Sequence, residues 1–102
     1  MLKIGIIGFG NMGRAVAFAA RAIFEICVFD KDEQKLIASQ GIKTEIKAAD
    51  LINNSDVIII AVKPQDIESV LKEIKDNFKE QLIISIAAGI TTKYLKNKLG
   101  EK

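Results

Sequence analysis

Residues 4–13 read I-G-I-I-G-F-G-N-M-G, an apolar strand that runs into a glycine-rich turn and then into an alanine-rich helix. The turn glycines, Gly8, Gly10 and Gly13, have the G-x-G-x-x-G spacing. Each has a mechanical reason to lack a side chain. Gly8 permits a tight turn off the strand, Gly10 lets the backbone approach a pyrophosphate, and Gly13 lets the helix pack closely on a sheet. The amides that open the helix, among them those of Asn11 and Met12, have no intrahelical acceptor and carry the positive end of the helix dipole, so an anion is stabilised there. Alone the spacing would be a weak signal; its strand–turn–helix context favours the fingerprint over the alternative, a glycine-rich turn without a ligand.

Outward from this turn, strands and helices alternate. The patterning predicts a first strand over 2–7 and a helix over 11–23, whose Ala15, Ala19, Ala20 and Ala22 suit close packing on a sheet. A second strand is expected over 25–29, then a helix over 32–39 that stops at Gly41, a good left-handed cap. A weak strand near 42–45 and a short helix around 48–53 follow. The strongest strand is 57–62, a continuous apolar run of the kind found when both sheet faces are covered. Pro64 suits the first turn of the next helix, in which Ile67, Val70, Leu71, Ile74 and Phe78 form one apolar face. Glu68, Lys72, Glu73, Lys75 and Asp76 read as its solvated side. A fifth strand over 82–86 and a final amphipathic helix complete the pattern; that helix is capped by Thr91 or Thr92, has Leu95 and Leu99 inward, and ends at Gly100.

Such alternation requires parallel strands joined by right-handed crossovers. The predicted fold is α/β, a doubly wound, Rossmann-like parallel sheet of about five strands in the order 3-2-1-4-5 with helices on both faces. The order reverses between strands 1 and 4, and ligands bind outside the carboxyl ends of strands at that point. Gly8 to Gly13 leave strand 1 there, and Ala61, Val62, Lys63 and Pro64 leave strand 4 beside them.

Composition narrows the function. The 102 residues make one domain, here taken as a dinucleotide-binding domain spanning 1–102. Its 15 basic and 13 acidic residues give a net charge of +2 with no run of one sign, which argues against a nucleic-acid binder. Cys27 is the one cysteine and lies in an apolar strand, so it reads as a buried structural thiol; with no histidine, a metal site is not expected. The longest apolar run is too short to cross a membrane and no signal-peptide pattern opens the chain, so a cytoplasmic location is the default expectation.

Individual residues carry the chemistry. Asp30, about twenty residues beyond the glycines, stands where an acid accepts hydrogen bonds from the adenine ribose, which leans the cofactor toward NAD. Lys31 follows directly and would instead attract a 2′-phosphate, and Asp30 would equally serve as a helix N-cap. Lys63 is either a cation in the cofactor crevice or an exposed lysine where the chain leaves the core. Ala87, Ala88 and Gly89 leave room for a flat nicotinamide ring, as a tight turn would also require. Arg14 reads as a solvated helical arginine more readily than as a phosphate ligand.

Three segments together point further: I-G-F-G-N-M-G at 7–13, A-V-K-P-Q at 61–65 and S-I-A-A-G-I-T at 85–91. In order and spacing they resemble the amino-terminal half of the pyrroline-5-carboxylate reductases, which reduce 1-pyrroline-5-carboxylate to proline, the last step of proline biosynthesis, with NADPH or NADH. The resemblance implies that Phe9, Gly10, Asn11, Met12, Ala61, Lys63, Ala87, Ala88 and Gly89 bind the dinucleotide. It also implies that catalytic residues and dimer contacts belong to a second, helical domain, absent from these 102 residues. The chain alone is then expected to be inactive, and a monomer or weak dimer where its full-length relatives are homo-oligomers. Lys47 stands where many relatives carry a small polar residue near the adenosine. The alternatives are a stand-alone nucleotide-binding or sensing module, and the front end of a deazaflavin-dependent NADP reductase or a 3-hydroxyacid dehydrogenase.

Overall fold

The computed structural model describes residues 2–36 and 41–86. Within them the order is β1 (Lys3–Ile7), α1 (Asn11–Ala20), β2 (Glu25–Phe29), α2 (Glu33–Leu36), β3 (Lys43–Thr44), α3 (Ala48–Asn53), β4 (Val57–Ile60), α4 (Ile67–Asn77) and β5 (Leu82–Ser85). All strand pairs are parallel and the sheet order is β3-β2-β1-β4-β5, the doubly wound arrangement predicted from the alternation. The predicted final helix over 91–100, the far end of the second helix, and Ala87, Ala88 and Gly89 lie outside the described residues.

Element ends moved where the chain must turn. The first helix stops at Ala20 because the amides of Ile23 and Phe24 both donate to the Ala20 carbonyl, each at 3.0 Å, closing a tight turn into β2. β4 is shorter than its apolar run: Ala61 still donates to the Ile7 carbonyl at 2.8 Å, and the chain then leaves the sheet. Pro64 opens a single 3-10 turn over Pro64–Asp66 before α4 begins, so its missing amide falls where no helix bond is needed.

The period-2 alternation of the strands divides the interior into two cores. Ile4 and Ile6 of β1 with Ile26 and Val28 of β2 meet Ala17 of α1 and Phe9 on one face. Ile7, Cys27, Ile58 and Ile60 meet Leu51 and Ile52 of α3 and Ile67, Leu71 and Ile74 of α4 on the other. Gly5 is required between them. A Cβ at this position would overlap the Ser55 hydroxyl and the Leu51 side chain, so its absence brings α3 down onto β1. Among the described residues no helix is long and apolar enough to cross a membrane.

Cys27 is buried on the α3–α4 face, as expected. Burial, reinforced by the charge of Glu45, pushes its thiol up to about 12 from an ordinary 9.0. The unfolded chain ionises first, so this thiol favours the folded state below pH 9.0, and that contribution is lost as pH rises toward 12. At pH 8 the native chain should therefore resist an aromatic disulfide reagent that labels the urea-unfolded chain completely. Equal labelling rates in the two states would show that the thiol is neither buried nor protonated.

Candidate dinucleotide-binding site

A cleft of about 540 Å³ opens at the carboxyl ends of the strands, where Ile7, Phe29, Ala61 and Ile86 form its floor. Gly8, Gly10, Asn11 and Met12 make one wall, Asp30, Lys31, Asp32 and Lys35 the second, and Val62 to Asp66 with the start of α4 the third. The topological switch point and the glycine turn therefore coincide. A second cavity of about 630 Å³ lies at the amino ends of the strands, between Lys3, Arg21, Lys43 and Asn54. Volume does not choose between them; the glycines do.

The three glycines differ in what surrounds them. Gly8 has φ +104°, and a Cβ there would lie 2.7 Å from the Ala61 carbonyl oxygen. A Cβ on Gly13 would overlap the Gly8 carbonyl oxygen. Both are therefore needed for the fold itself. Gly10 is different: its φ is −78°, open to any residue, and among the described residues nothing lies within 4 Å of where a Cβ would be. The fold does not require a glycine here. A Cβ would project into open space beside a cleft whose wall Gly10 forms, which is where a ligand's approach would demand its absence.

Gly10 is also the N-cap of α1, and its carbonyl accepts the Arg14 amide at 2.9 Å. Among the described residues no side chain caps this helix end and its first turn holds no acid, so the Asn11 and Met12 amides are set to receive an anion.

Asp30 is placed at the end of β2, where it borders the cleft and is also tied to the backbone around it. Only 8% exposed, it accepts the Phe9 amide on Oδ2 at 2.7 Å and the Asp32 amide on Oδ1 at 2.8 Å. It is a strut that ties the glycine turn to the β2–α2 loop. The capping role considered for it belongs to Asp32, whose Oδ1 accepts the Gln34 amide at 3.1 Å. Phe9 stands on the other side of that strut. Its ring is buried on the α1 face beside Phe18, and its amide is engaged by Asp30, so neither is offered to the cleft.

Lys31, Ala61, Val62, Lys63 and Pro64 line the cleft, and Lys63 is exposed at its rim. Gly13 is buried against the turn, Arg14 does not line the cleft, and Lys47 is exposed away from it. Sequence reasoning missed the α4 wall: Asp66, Ser69, Val70 and Glu73 recur at the spacing of one helix face and point into the cleft. It also missed the ion pair of Lys31 Nζ with Asp66 Oδ1, 2.7 Å apart, which holds the Lys31 ammonium above its ordinary 10.5.

Residues 3–89 match the family described as NADP oxidoreductase, coenzyme F420-dependent. The chain belongs to this family. It is also similar to pyrroline-5-carboxylate reductases: it is 39% identical to that of Aquifex aeolicus over 98% of this chain and 39% of the relative. The structure of a pyrroline-5-carboxylate reductase from Coxiella burnetii superposes with a TM-score of 0.86 at 34% identity, over 95% of this chain and 39% of that one. The NADP-bound pyrroline carboxylate reductase of Plasmodium falciparum gives 0.83 at 27% identity, over 97% and 37%. The chain spans about two fifths of the length of these relatives and corresponds to their amino-terminal part. It is an NAD(P)-binding Rossmann fold of an oxidoreductase family, as the glycine turn and the switch point foretold.

The contrast among the glycines yields a measurable outcome. Gly13→Ala and Gly8→Ala should each lower unfolding free energy in urea by about 1–3 kcal/mol, from overlap and, at Gly8, from positive φ. Gly10→Ala should change it by less than about 1 kcal/mol, since loss of backbone freedom in the unfolded chain offsets a slightly poorer N-cap. Comparable losses at all three positions would mean that Gly10 serves the fold.

Proposed function

We propose that these 102 residues bind the nicotinamide dinucleotide of a pyrroline-5-carboxylate reductase. The observation that carries the reading is Gly10: a glycine that no contact among the described residues requires, open to the cleft at the start of a helix with no side-chain cap and no acid in its first turn. The donor set suits a pyrophosphate, since backbone amides at a helix N-terminus stabilise anions without a dedicated cation. When bound, the dinucleotide supplies the hydride for reduction of a cyclic imine.

In this reading the chain's own residues bind and orient. The Asn11 and Met12 amides receive the pyrophosphate, and Gly10 allows it to approach. Ala61 and Val62 form an apolar ledge at the switch point, Pro64 fixes the turn beyond it, and Lys63 adds a cation at the rim. Ala87, Ala88 and Gly89 are assigned to the nicotinamide end by the family resemblance. Asp30 keeps the glycine turn in register, so the choice between NAD and NADP passes from Asp30 to Lys31. The name of the matched family favours a second reading, an F420-dependent NADP oxidoreductase; the similarity of nearly the whole chain to pyrroline-5-carboxylate reductases favours the first.

Isothermal calorimetry with NAD⁺ and NADP⁺ tests the assignment. The native chain should bind at least one of them, and Gly10→Val should abolish binding with its circular dichroism unchanged, because the side chain would fill the pyrophosphate's path. Unchanged affinity in Gly10→Val would defeat it. We assign the imine pocket to residues outside these 102, so the chain alone should show negligible reduction of pyrroline-5-carboxylate. Positioning of two reactants accounts for about 7–11 kcal/mol of such a barrier, and turnover matching an intact reductase would overturn this division of labour.

A further inference from the structure

Lys31 and Asp66 stand on opposite rims of the cleft, one on the loop leaving β2 and the other at the start of α4, and meet at 2.7 Å. Asp66 precedes the first residue of α4, a position where an aspartate carboxylate commonly accepts an amide of the first turn. It makes no such bond here. Its carboxylate reaches across the cleft to Lys31 instead, 35 residues away in sequence.

The end of β2 is where the adenine ribose of a dinucleotide lies in this fold. Asp30, the acid that would read the ribose, is engaged by the amides of Phe9 and Asp32. What distinguishes a 2′-hydroxyl from a 2′-phosphate is therefore the charge standing around that position. Lys31 and Lys35 are set there against Asp30, Asp32, Asp66 and Glu73, so the wall is not a basic pocket; of these acids Asp66 is the one paired with Lys31.

Resting on the dinucleotide reading above, we propose that Asp66 is a specificity-determining residue: by neutralising Lys31 from across the cleft, it suppresses the preference for NADP(H) that Lys31 would otherwise confer. A phosphate monoester carries nearly two negative charges near neutral pH. Its approach to Lys31 must displace or crowd the Asp66 carboxylate, whereas a 2′-hydroxyl brings no charge and leaves the pair intact. The pair is exposed, with the Lys31 side chain at 72% and that of Asp66 at 27%, so its influence is modest and sensitive to salt.

Asp66→Asn removes the charge while keeping shape and an acceptor oxygen. Calorimetry on the full chain with NADP⁺ and NAD⁺ should show NADP⁺ binding tightened about fivefold and NAD⁺ changed by less than about twofold. An unchanged ratio of the two affinities, in a variant that folds as the native chain does, overturns the inference. Should Asp66→Asn fail to fold, Asp66→Ser removes the same charge: the NADP⁺ to NAD⁺ affinity ratio must then rise, and an unchanged ratio overturns the inference equally. Failure of the native chain to bind either dinucleotide is a different result, which defeats the dinucleotide reading and this inference with it.

Discussion

The start of α1 rests directly on the turn that leaves β1, with no side chain between Gly13 and the Gly8 carbonyl. Much of the structure depends on that approach. It sets the angle at which α1 crosses the sheet and so places Ala17 over Ile4, Ile6, Ile26 and Val28. It also aims the free amides of the helix into the space beyond the strand ends. A methyl group at Gly13 would push the helix off the turn, degrading packing and anion binding together, while one at Gly8 would meet the Ala61 carbonyl beyond β4. Gly10 stands between them and obeys a different constraint, because the space its side chain would occupy is empty.

Around this contact the chain assembles one cleft from three loops far apart in sequence. Asp30 is the fastener between two of them. A carboxylate buried at the end of β2 must be hydrogen-bonded, and the amides of Phe9 and Asp32 meet that need. The glycine turn is thereby held to the β2–α2 loop before any ligand arrives, which lowers the ordering cost of binding. Lys31 and Asp66 join the second loop to the third, at the surface where such a pair is weak and readily rearranged.

The fold was legible in the sequence because its signals are local and redundant. Apolar runs at Ile4 to Ile7 and Val57 to Ile60, small residues along α1 and one apolar face on α4 specify strands and helices independently, and right-handed crossovers then leave few sheet orders. The location of the cleft followed from that order. Which atoms meet within it did not. Spacing put an acid at the end of β2 without saying that the Phe9 amide would reach it first. A charged residue such as Glu73 looks solvated in a periodicity count, yet its helix face borders the cleft. The Lys31–Asp66 pair joins residues that no local pattern connects. Helix ends at Ala20 and Asn77 depended on turns into the next strand, a tertiary constraint that propensity does not contain.

Everything in the proposed function turns on the backbone amides of the glycine turn, at the carboxyl end of the sheet, receiving the dinucleotide. Titrating the ¹⁵N-labelled chain with NAD⁺ or NADP⁺ and following each amide by heteronuclear correlation tests it most directly. The largest shifts should fall at Gly8, Gly10, Asn11 and Met12, with smaller ones at Lys31 and Lys63, and little change at Lys3, Lys43 or Asn54 around the opposite cavity. Shifts concentrated at that opposite end, with the glycine-turn amides unmoved, would contradict it.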